Sequence, residues 1–229
     1  MSIFPFPDPI INCNFEKVYA PSDDTYLLLD YFKNRIDNSF FDGININEIK
    51  NLLDLGTGTG IIAIFFLLIK KQIINFNPKI YASDISKNAI KCAKLNQKAN
   101  EIHDEINFLY SDLFNSFPVN LKNSFNIIIF NPPYLPSSRL IREEQKKDID
   151  HSWNGGEEGH EVLINFLEKA IQFINLQKKH YIYCITSSRI DLDKTNKLIT
   201  NLGYKNQIVK KKHLFFEDIF VNRLSYNKL

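Results

Sequence analysis

The chain has 229 residues, of which 44% are hydrophobic and 24% charged, and a formal net charge of +2. That length can bury a sizeable core, and the composition excludes a disordered chain and a collagen-like repeat. The longest apolar run, residues 61–69, is far below the ~20 residues needed to cross a bilayer, and no Lys/Arg block marks an autonomous binder of duplex DNA.

The opening MSIFPFPDPI has no basic n-region and is broken by prolines, which argues against a secretory or transit peptide, so a cytoplasmic protein is expected. Ser22 to Thr25 precede the apolar stripe Tyr26, Leu27, Leu28, Leu29, Tyr31 and Phe32, which predicts a capped first helix over the carboxyl edge of a sheet. From about residue 50, β-branched runs alternate with amphipathic stretches, the pattern of βαβ units and a largely parallel sheet. Strands are predicted over 51–55, 79–83, 106–110, 125–130 and 180–186, and runs such as IIIF and YIYCI suit strands covered on both faces. Between them, Ser86 can cap a helix through Ile90 and Ala93, and Val162, Leu163, Phe166, Leu167, Ala170, Ile171 and Ile174 recur at helical spacing. A helix over 192–202, ended by Gly203, then leads into strands over 205–211 and 214–223 that close the sheet as an antiparallel hairpin. No repeat or linker divides the chain, so 1–229 is expected to be one domain, with an N-terminal extension and capping helix over 1–49 and an α/β core over 50–229. Cys13, Cys92 and Cys184 are odd in number and widely spaced, and the histidines match no ligand spacing, so reduced thiols and no bound metal are expected.

The first informative string is Asp54-Leu55-Gly56-Thr57-Gly58-Thr59-Gly60, a strand running into a glycine turn and then a helix. Glycines there let the backbone turn tightly and approach a ligand. Ile61 stands where a dinucleotide fingerprint needs its last glycine; the form seen instead resembles motif I of class I S-adenosylmethionine methyltransferases. Asp84, ending the second strand, can accept both hydroxyls of a ribose, and Asp112, after the third, is placed to accept from an adenine amino group. The plainer alternatives are helix N-capping for Asp84 and turn formation for Asp112.

The buried run Ile127, Ile128, Ile129 and Phe130 leads into Asn131-Pro132-Pro133-Tyr134. Two prolines stiffen that turn and remove two N–H donors. A planar NH2 is a poor nucleophile because its lone pair is delocalised. Accepting its two protons, at the Asn131 side-chain oxygen and the Pro132 carbonyl, favours a pyramidal nitrogen, and Tyr134 can stack on the planar group. In a doubly wound sheet the first and fourth strands flank the switch point where ligands bind, so the glycine turn and this tetrapeptide are expected to meet across one crevice.

N-P-P-Y specifies a planar NH2 but not its carrier, since enzymes acting on adenine N6 and on glutamine amides share it. Tyr19-Ala20-Pro21-Ser22-Asp23-Asp24-Thr25-Tyr26-Leu27-Leu28 resembles the Y-x-P-x-x-D-T-x-L-L signature of HemK-like protein-glutamine methyltransferases. Trp153-Asn154-Gly155-Gly156-Glu157-Glu158-Gly159 is similar to their W-x-G-G-x-x-G loop, and Ser187 and Ser188, with Leu214, Phe215, Phe216 and Glu217, fit the closing strands of the archaeal and eukaryotic branch. The resemblance covers residues 18–224. It implies a Rossmann-like, seven-stranded, mostly parallel α/β sheet of order 3-2-1-4-5-7-6, with helices on both faces. It further implies S-adenosyl-L-methionine as cofactor and N5-methylation of the glutamine in the Gly-Gly-Gln loop of a class I translation release factor. Carried across by position, the cofactor is held by Thr25, Asp54, Gly56, Gly58, Gly60, Asp84, Asp112, Leu113 and Asn131, and catalysis falls to Asn131, Pro132, Pro133 and Tyr134.

Bacterial relatives carry a separate N-terminal helical domain, for which the roughly fifty residues ahead of the first sheet strand are too few; this favours the archaeal or eukaryotic branch. Proteins of that branch often work with a small zinc-binding activator. In the expected order the strand Ile106–Tyr110 lies at an edge, and Phe108 and Tyr110 leave it apolar, so strand addition by such a partner is expected there. The charged loop 141–151 is either a solvated loop or a rim that contacts the release factor. The rival function is an adenine-N6 methyltransferase acting on DNA or RNA, which would also need a target-recognition domain or a basic groove. Neither is apparent, so no nucleic-acid partner is expected, and no membrane.

Overall fold

A computed structural model of the chain describes residues 6–12, 18–101, 106–137 and 154–227. The loop 141–151, Trp153 and Cys13 lie outside the described residues. Helix α1 (Asp23–Lys33) leads into a two-stranded hairpin, β1 (Phe40–Phe41) and β2 (Ile44–Asn45). Then follow β3 (Asn51–Leu55), α2 (Ile61–Gln72), β4 (Lys79–Asp84), α3 (Lys87–Ala99), β5 (Ile106–Tyr110), β6 (Ile127–Phe130), α4 (Glu161–Ala170), β7 (Tyr181–Ser187), α5 (Leu192–Asn201), β8 (Tyr204–Leu214) and β9 (Glu217–Tyr226).

The large sheet has the order β5-β4-β3-β6-β7-β9-β8. Counted from β3, this is the expected 3-2-1-4-5-7-6. Neighbours from β5 to β7 pair in parallel, and β9 runs antiparallel to both β7 and β8. Successive strand side chains point to opposite faces, so an all-apolar strand demands cover on both. Leu52, Ile80, Ile127, Ile129, Tyr183 and Ile185 join one core with α1 and α2. Leu53, Leu55, Ile128, Phe130, Ile182 and Cys184 join a second with α4 and Ile199 of α5.

Several details depart from the expected picture. The body of α1 lies on the sheet face, with the Phe32 ring 5.3 Å from that of Phe66 and 5.1 Å from that of Tyr183; only its first turn reaches the carboxyl edge. Its apolar stripe is wide enough to need a sheet face for burial. The fourth sheet strand begins at Ile127, and Phe125 instead forms an isolated bridge to Ile174. The closing hairpin turns at Phe215 and Phe216, not near residue 212, because pairing with β9 carries the lysine-rich β8 on to Leu214. Cys184 is buried and free, whereas Cys92 is disulfide-bonded; sequence spacing does not show which thiols a fold brings within bonding range. Lys87, Lys91, Lys94 and Lys98 line one groove along α3, a basic stripe that helical spacing hides from a search for blocks.

At the far end of the sheet, Asp42 in the β1–β2 turn accepts from the hydroxyls of Tyr31 and Tyr183, each at 2.7 Å, and pairs with Arg223 at 2.9 Å. Asp42 and Gly43 both have positive φ, +48° and +80°, as a tight two-residue hairpin turn requires. This cluster ties α1 and the small hairpin to β7 and β9.

Candidate active site

Strand β3 ends in Asp54 and Leu55, and the chain then turns through Gly56 at φ +67° and Gly58 at φ +54°. A Cβ on Gly56 would lie 3.1 Å from the Phe130 ring, so the glycine turn packs directly on the strand that precedes Asn131. Gly60, at φ +82°, caps α2, and a Cβ there would meet Ala93 Cβ at 2.8 Å. Its smallness therefore seats α2 against α3, and Gly60 is not among the residues lining the cavity described below.

Asp54 is buried, and its Oδ2 accepts from Thr57 Oγ1 at 2.6 Å and from the Ala63 N–H at 3.2 Å. Burial outweighs those two bonds and, with a smaller push from the Asp84 charge, raises its pKa to about 7. Asp84 accepts the Gly58 N–H on Oδ2 at 2.9 Å and the Ser86 N–H on Oδ1 at 2.8 Å. It thereby ties the glycine turn to the end of β4, while Ser86 is the residue that caps α3. The Asp112 carboxylate accepts from Asn115 Nδ2 at 3.0 Å and its carbonyl from the Asn115 N–H at 3.0 Å, so it forms a turn as well as facing the site. Next to it, Leu113 holds φ +46°, a backbone state that leucine rarely adopts and that clusters at ligand sites.

One cavity of about 1230 Å³ opens at the carboxyl edge of the sheet. Thr25, Asp54, Gly56, Gly58, Asp84, Asp112, Leu113, Asn131, Pro132, Pro133 and Tyr134 all line it. Since β3 and β6 are paired neighbours, the two motifs face each other across the switch point, as the doubly wound order requires. Six carboxylate side chains line this cavity, those of Asp23, Asp24, Asp54, Asp84, Asp112 and Glu217, and among the described residues no lysine, arginine or histidine does.

Asn131 Oδ1 is shielded from water and accepts no hydrogen bond among the described residues. Tyr134 donates its hydroxyl to Asp24 Oδ2 at 3.4 Å, and Tyr19 donates to the same oxygen at 3.2 Å. Asp24 Oδ1 accepts from the Thr25 N–H at 2.6 Å and Thr25 Oγ1 at 3.1 Å. Burial, followed by the Asp24 charge, pushes the Tyr19 phenol up to about 12 and that of Tyr134 higher still, so both stay neutral donors. The buried Asp24 thus pins the tetrapeptide's tyrosine to the first turn of α1.

The glycine loop grips the tetrapeptide from the other side. Gly155 donates to the Leu135 carbonyl at 3.0 Å, and Ser137 donates to that of Gly156 at 2.8 Å. A Cβ on Gly155 would sit 2.5 Å from the Gly159 carbonyl oxygen and 2.8 Å from that of Pro133. A Cβ on Gly159 would sit 2.6 Å from the Tyr134 carbonyl oxygen. Backbone packs on backbone here, and any side chain would force them apart.

Residues 25–148 match the methyltransferase small domain. The chain belongs to that family. This methyltransferase is 33% identical over 207 residues, 90% of each chain, to a Methanocaldococcus jannaschii protein named as a protein N5-glutamine methyltransferase. It is 28% identical over 182 residues to the eRF1 methyltransferase catalytic subunit mtq2 of Schizosaccharomyces pombe, covering 77% of this chain and 76% of that one. Its fold is similar to a chain of the E. cuniculi Mtq2–Trm112 complex, described as responsible for methylating the eRF1 translation termination factor. There the TM-score is 0.60 at 21% identity, over 92% of this chain and 99% of that chain.

Of the expected site residues of the methyltransferase, the cavity gathers all but Gly60. Sequence reasoning quoted Tyr19, Asp24 and Glu217 within family signatures but gave them no role in the site. Asp24 stood in the Asp-Thr pair before a helix, where it was open to explanation as part of a cap; the helix's N-cap is Ser22, without a side-chain cap bond. Glu217, paired with Ser187 Oγ and with Arg189, stood in the string that fits the closing strands, with nothing local to show that it lines the cavity. Among the described residues no group of three or more His, Cys, Asp or Glu is arranged to hold a metal ion. Nor is any described helix long and apolar enough to cross a membrane.

Proposed function

We propose that this methyltransferase transfers the methyl group of S-adenosylmethionine to N5 of the glutamine in the Gly-Gly-Gln loop of a class I translation release factor, acting in the cytoplasm as one domain. The observation that carries this reading is Asn131, which lines the cavity that holds the glycine turn and whose buried carboxamide oxygen accepts no hydrogen bond among the described residues. The names of the two sequence relatives, for N5-glutamine and for eRF1, support the substrate.

The residues fit the cofactor. Asp24, Asp84 and Asp112 in the cavity wall favour a cation, whereas Asp23 and Glu217 are paired with Lys212 and Arg189, and Gly56 and Gly58 leave backbone open to close approach. Asp84 lines the cavity at the end of β4, where a carboxylate can accept from ribose hydroxyls, Asp112 and Leu113 border the adenine side, and Thr25 and Asp54 border the amino-acid end. When bound, S-adenosylmethionine supplies an electrophilic methyl group on a positively charged sulfur. The chain's own part is orientation and electrostatics. Asn131 Oδ1 accepts one proton of the substrate amide and the Pro132 carbonyl accepts the other, which localises the nitrogen lone pair. Tyr134, held by Asp24, stacks on the amide plane. The same three carboxylates repel phosphate, which favours a protein amide over an adenine in nucleic acid.

Strand β5 is one of the two edge strands of the sheet, and its Tyr110 is 54% exposed. A small zinc-binding activator adding a strand there fits this edge, and the description of the similar fold as an Mtq2–Trm112 complex supports a protein partner. The deciding experiment offers labelled S-adenosylmethionine together with a release factor, its loop Gln→Ala variant, or nucleic acid. Label is expected only in the intact factor; label in nucleic acid, or equal label in the variant, overturns the proposal.

A further inference from the structure

The tip of the β8–β9 hairpin carries Phe215 and Phe216, 96% and 87% exposed, with ring centroids 6.4 Å apart. Nothing in the fold explains them. Leu214 pairs with Glu217, so the two phenylalanines form the whole connection, and two-residue hairpin loops favour Gly, Asn or Asp at positive φ. Neither phenylalanine has positive φ, and neither belongs to a core cluster. Two aromatic side chains in water at a loop tip work against solubility unless something covers them.

Their position says what does. Ser187, the last residue of β7, pairs with Ile219 of β9, which places the hairpin tip at the carboxyl edge of the parallel strands, where the cavity opens. The flanking residues Leu214 and Glu217 line that cavity. Lys212 pairs with Asp23 at 2.6 Å, and Lys210 pairs with Asp30, so β8 is strapped to α1, whose first turn forms the adjoining wall. The tip is therefore held at the mouth through which an acceptor side chain must enter.

We propose that Phe215 and Phe216 form a docking point for the protein that carries the acceptor glutamine, inserting into an apolar patch on that protein beside its target loop. This rests on the function proposed above and deepens it. The active site reads the amide and the tip reads its carrier. Paired aromatics surrounded by polar residues are the usual anchors of such contacts. Leu214 and Glu217 make the tip continuous with the substrate pocket, which favours the acceptor protein over an unrelated partner.

The test compares the full-length wild-type enzyme with the double variant Phe215→Ala/Phe216→Ala on an intact release factor and on a short peptide spanning the acceptor glutamine. KM for the factor is expected to rise about tenfold or more. The turnover number at saturation, S-adenosylmethionine affinity, thermal midpoint and rate on the peptide are expected to stay at wild-type values. An unchanged KM for the factor removes the docking point and leaves the function standing. A wild-type enzyme that labels neither factor nor peptide removes both. A wild-type dimer that the double variant dissolves, with KM unchanged, assigns the tip to self-association and overturns the proposal.

Discussion

Asn131 Oδ1 concentrates the chemistry of the site in one atom. Among the described residues it is buried without a donor, an arrangement that costs roughly 1–3 kcal/mol, so its retention beside the cavity fits a ligand that donates to it. Replacing Asn131 with Ala is expected to lower turnover on the order of 10²–10³, by analogy with the loss of one preorganised oxyanion donor. S-adenosylmethionine affinity, measured by calorimetry, should change little, and wild-type turnover would remove Asn131 from the mechanism. Asp54 gives a second handle. Its pKa is pushed up to about 7 in the folded protein by burial, against ~3.9 unfolded. The native state therefore holds its proton more tightly, so this group's contribution to stability is complete below about pH 4 and is lost as pH rises to about 7. Denaturant midpoints of the ligand-free enzyme should fall across that window, and Asp54→Asn, which stays neutral, should flatten the fall. Parallel curves for the two proteins would show that Asp54 is ionised throughout.

Among the elements, the glycine loop at 154–159 has the clearest mechanical task. Its backbone touches the carbonyls of Pro133 and Tyr134 with no space for a side chain at Gly155 or Gly159. Gly155→Ala must push the tetrapeptide aside, while the glycine turn after β3 is untouched. The turnover number is expected to drop about tenfold or more, since catalytic geometry tolerates little displacement, with S-adenosylmethionine affinity within about twofold of wild type. Steady-state kinetics beside a binding isotherm would check this, and an unchanged turnover number would show that the grip is dispensable. Motif spacing alone made the loop recognisable as a feature; what it holds became visible only once β6 and α4 were packed. The boundaries of β8 teach a related lesson, because a run of lysines has no apolar alternation and reads as a turn until β9 pairs with it.

At the scale of the whole molecule, the cavity joins the ends of β3, β4 and β6, the first turn of α1 and the β8–β9 hairpin. A ligand there bridges segments far apart in the chain and binds only the folded state. At one hundred times its dissociation constant it adds ~2.7 kcal/mol, which for a chain of this size raises the melting temperature by roughly 5–10 °C. S-adenosylmethionine should give that shift in a thermal melt, and its absence would place the cofactor elsewhere.

Neighbouring residues determined the types and order of the elements, the glycine turn and the proline-stiffened tetrapeptide, because periodicity, capping and turn chemistry act over a few residues at a time. Pairing of β3 with β6 followed from the handedness and order of βαβ units, so the meeting of the two motifs was legible as well. Tertiary structure alone decided that Tyr134 hangs from Asp24, 110 positions away, that Gly60 packs helices instead of facing the ligand, and that every charged group lining the cavity among the described residues is an acid. Those features depend on which side chains several separate elements bring to one place, and no local pattern in the chain encodes that.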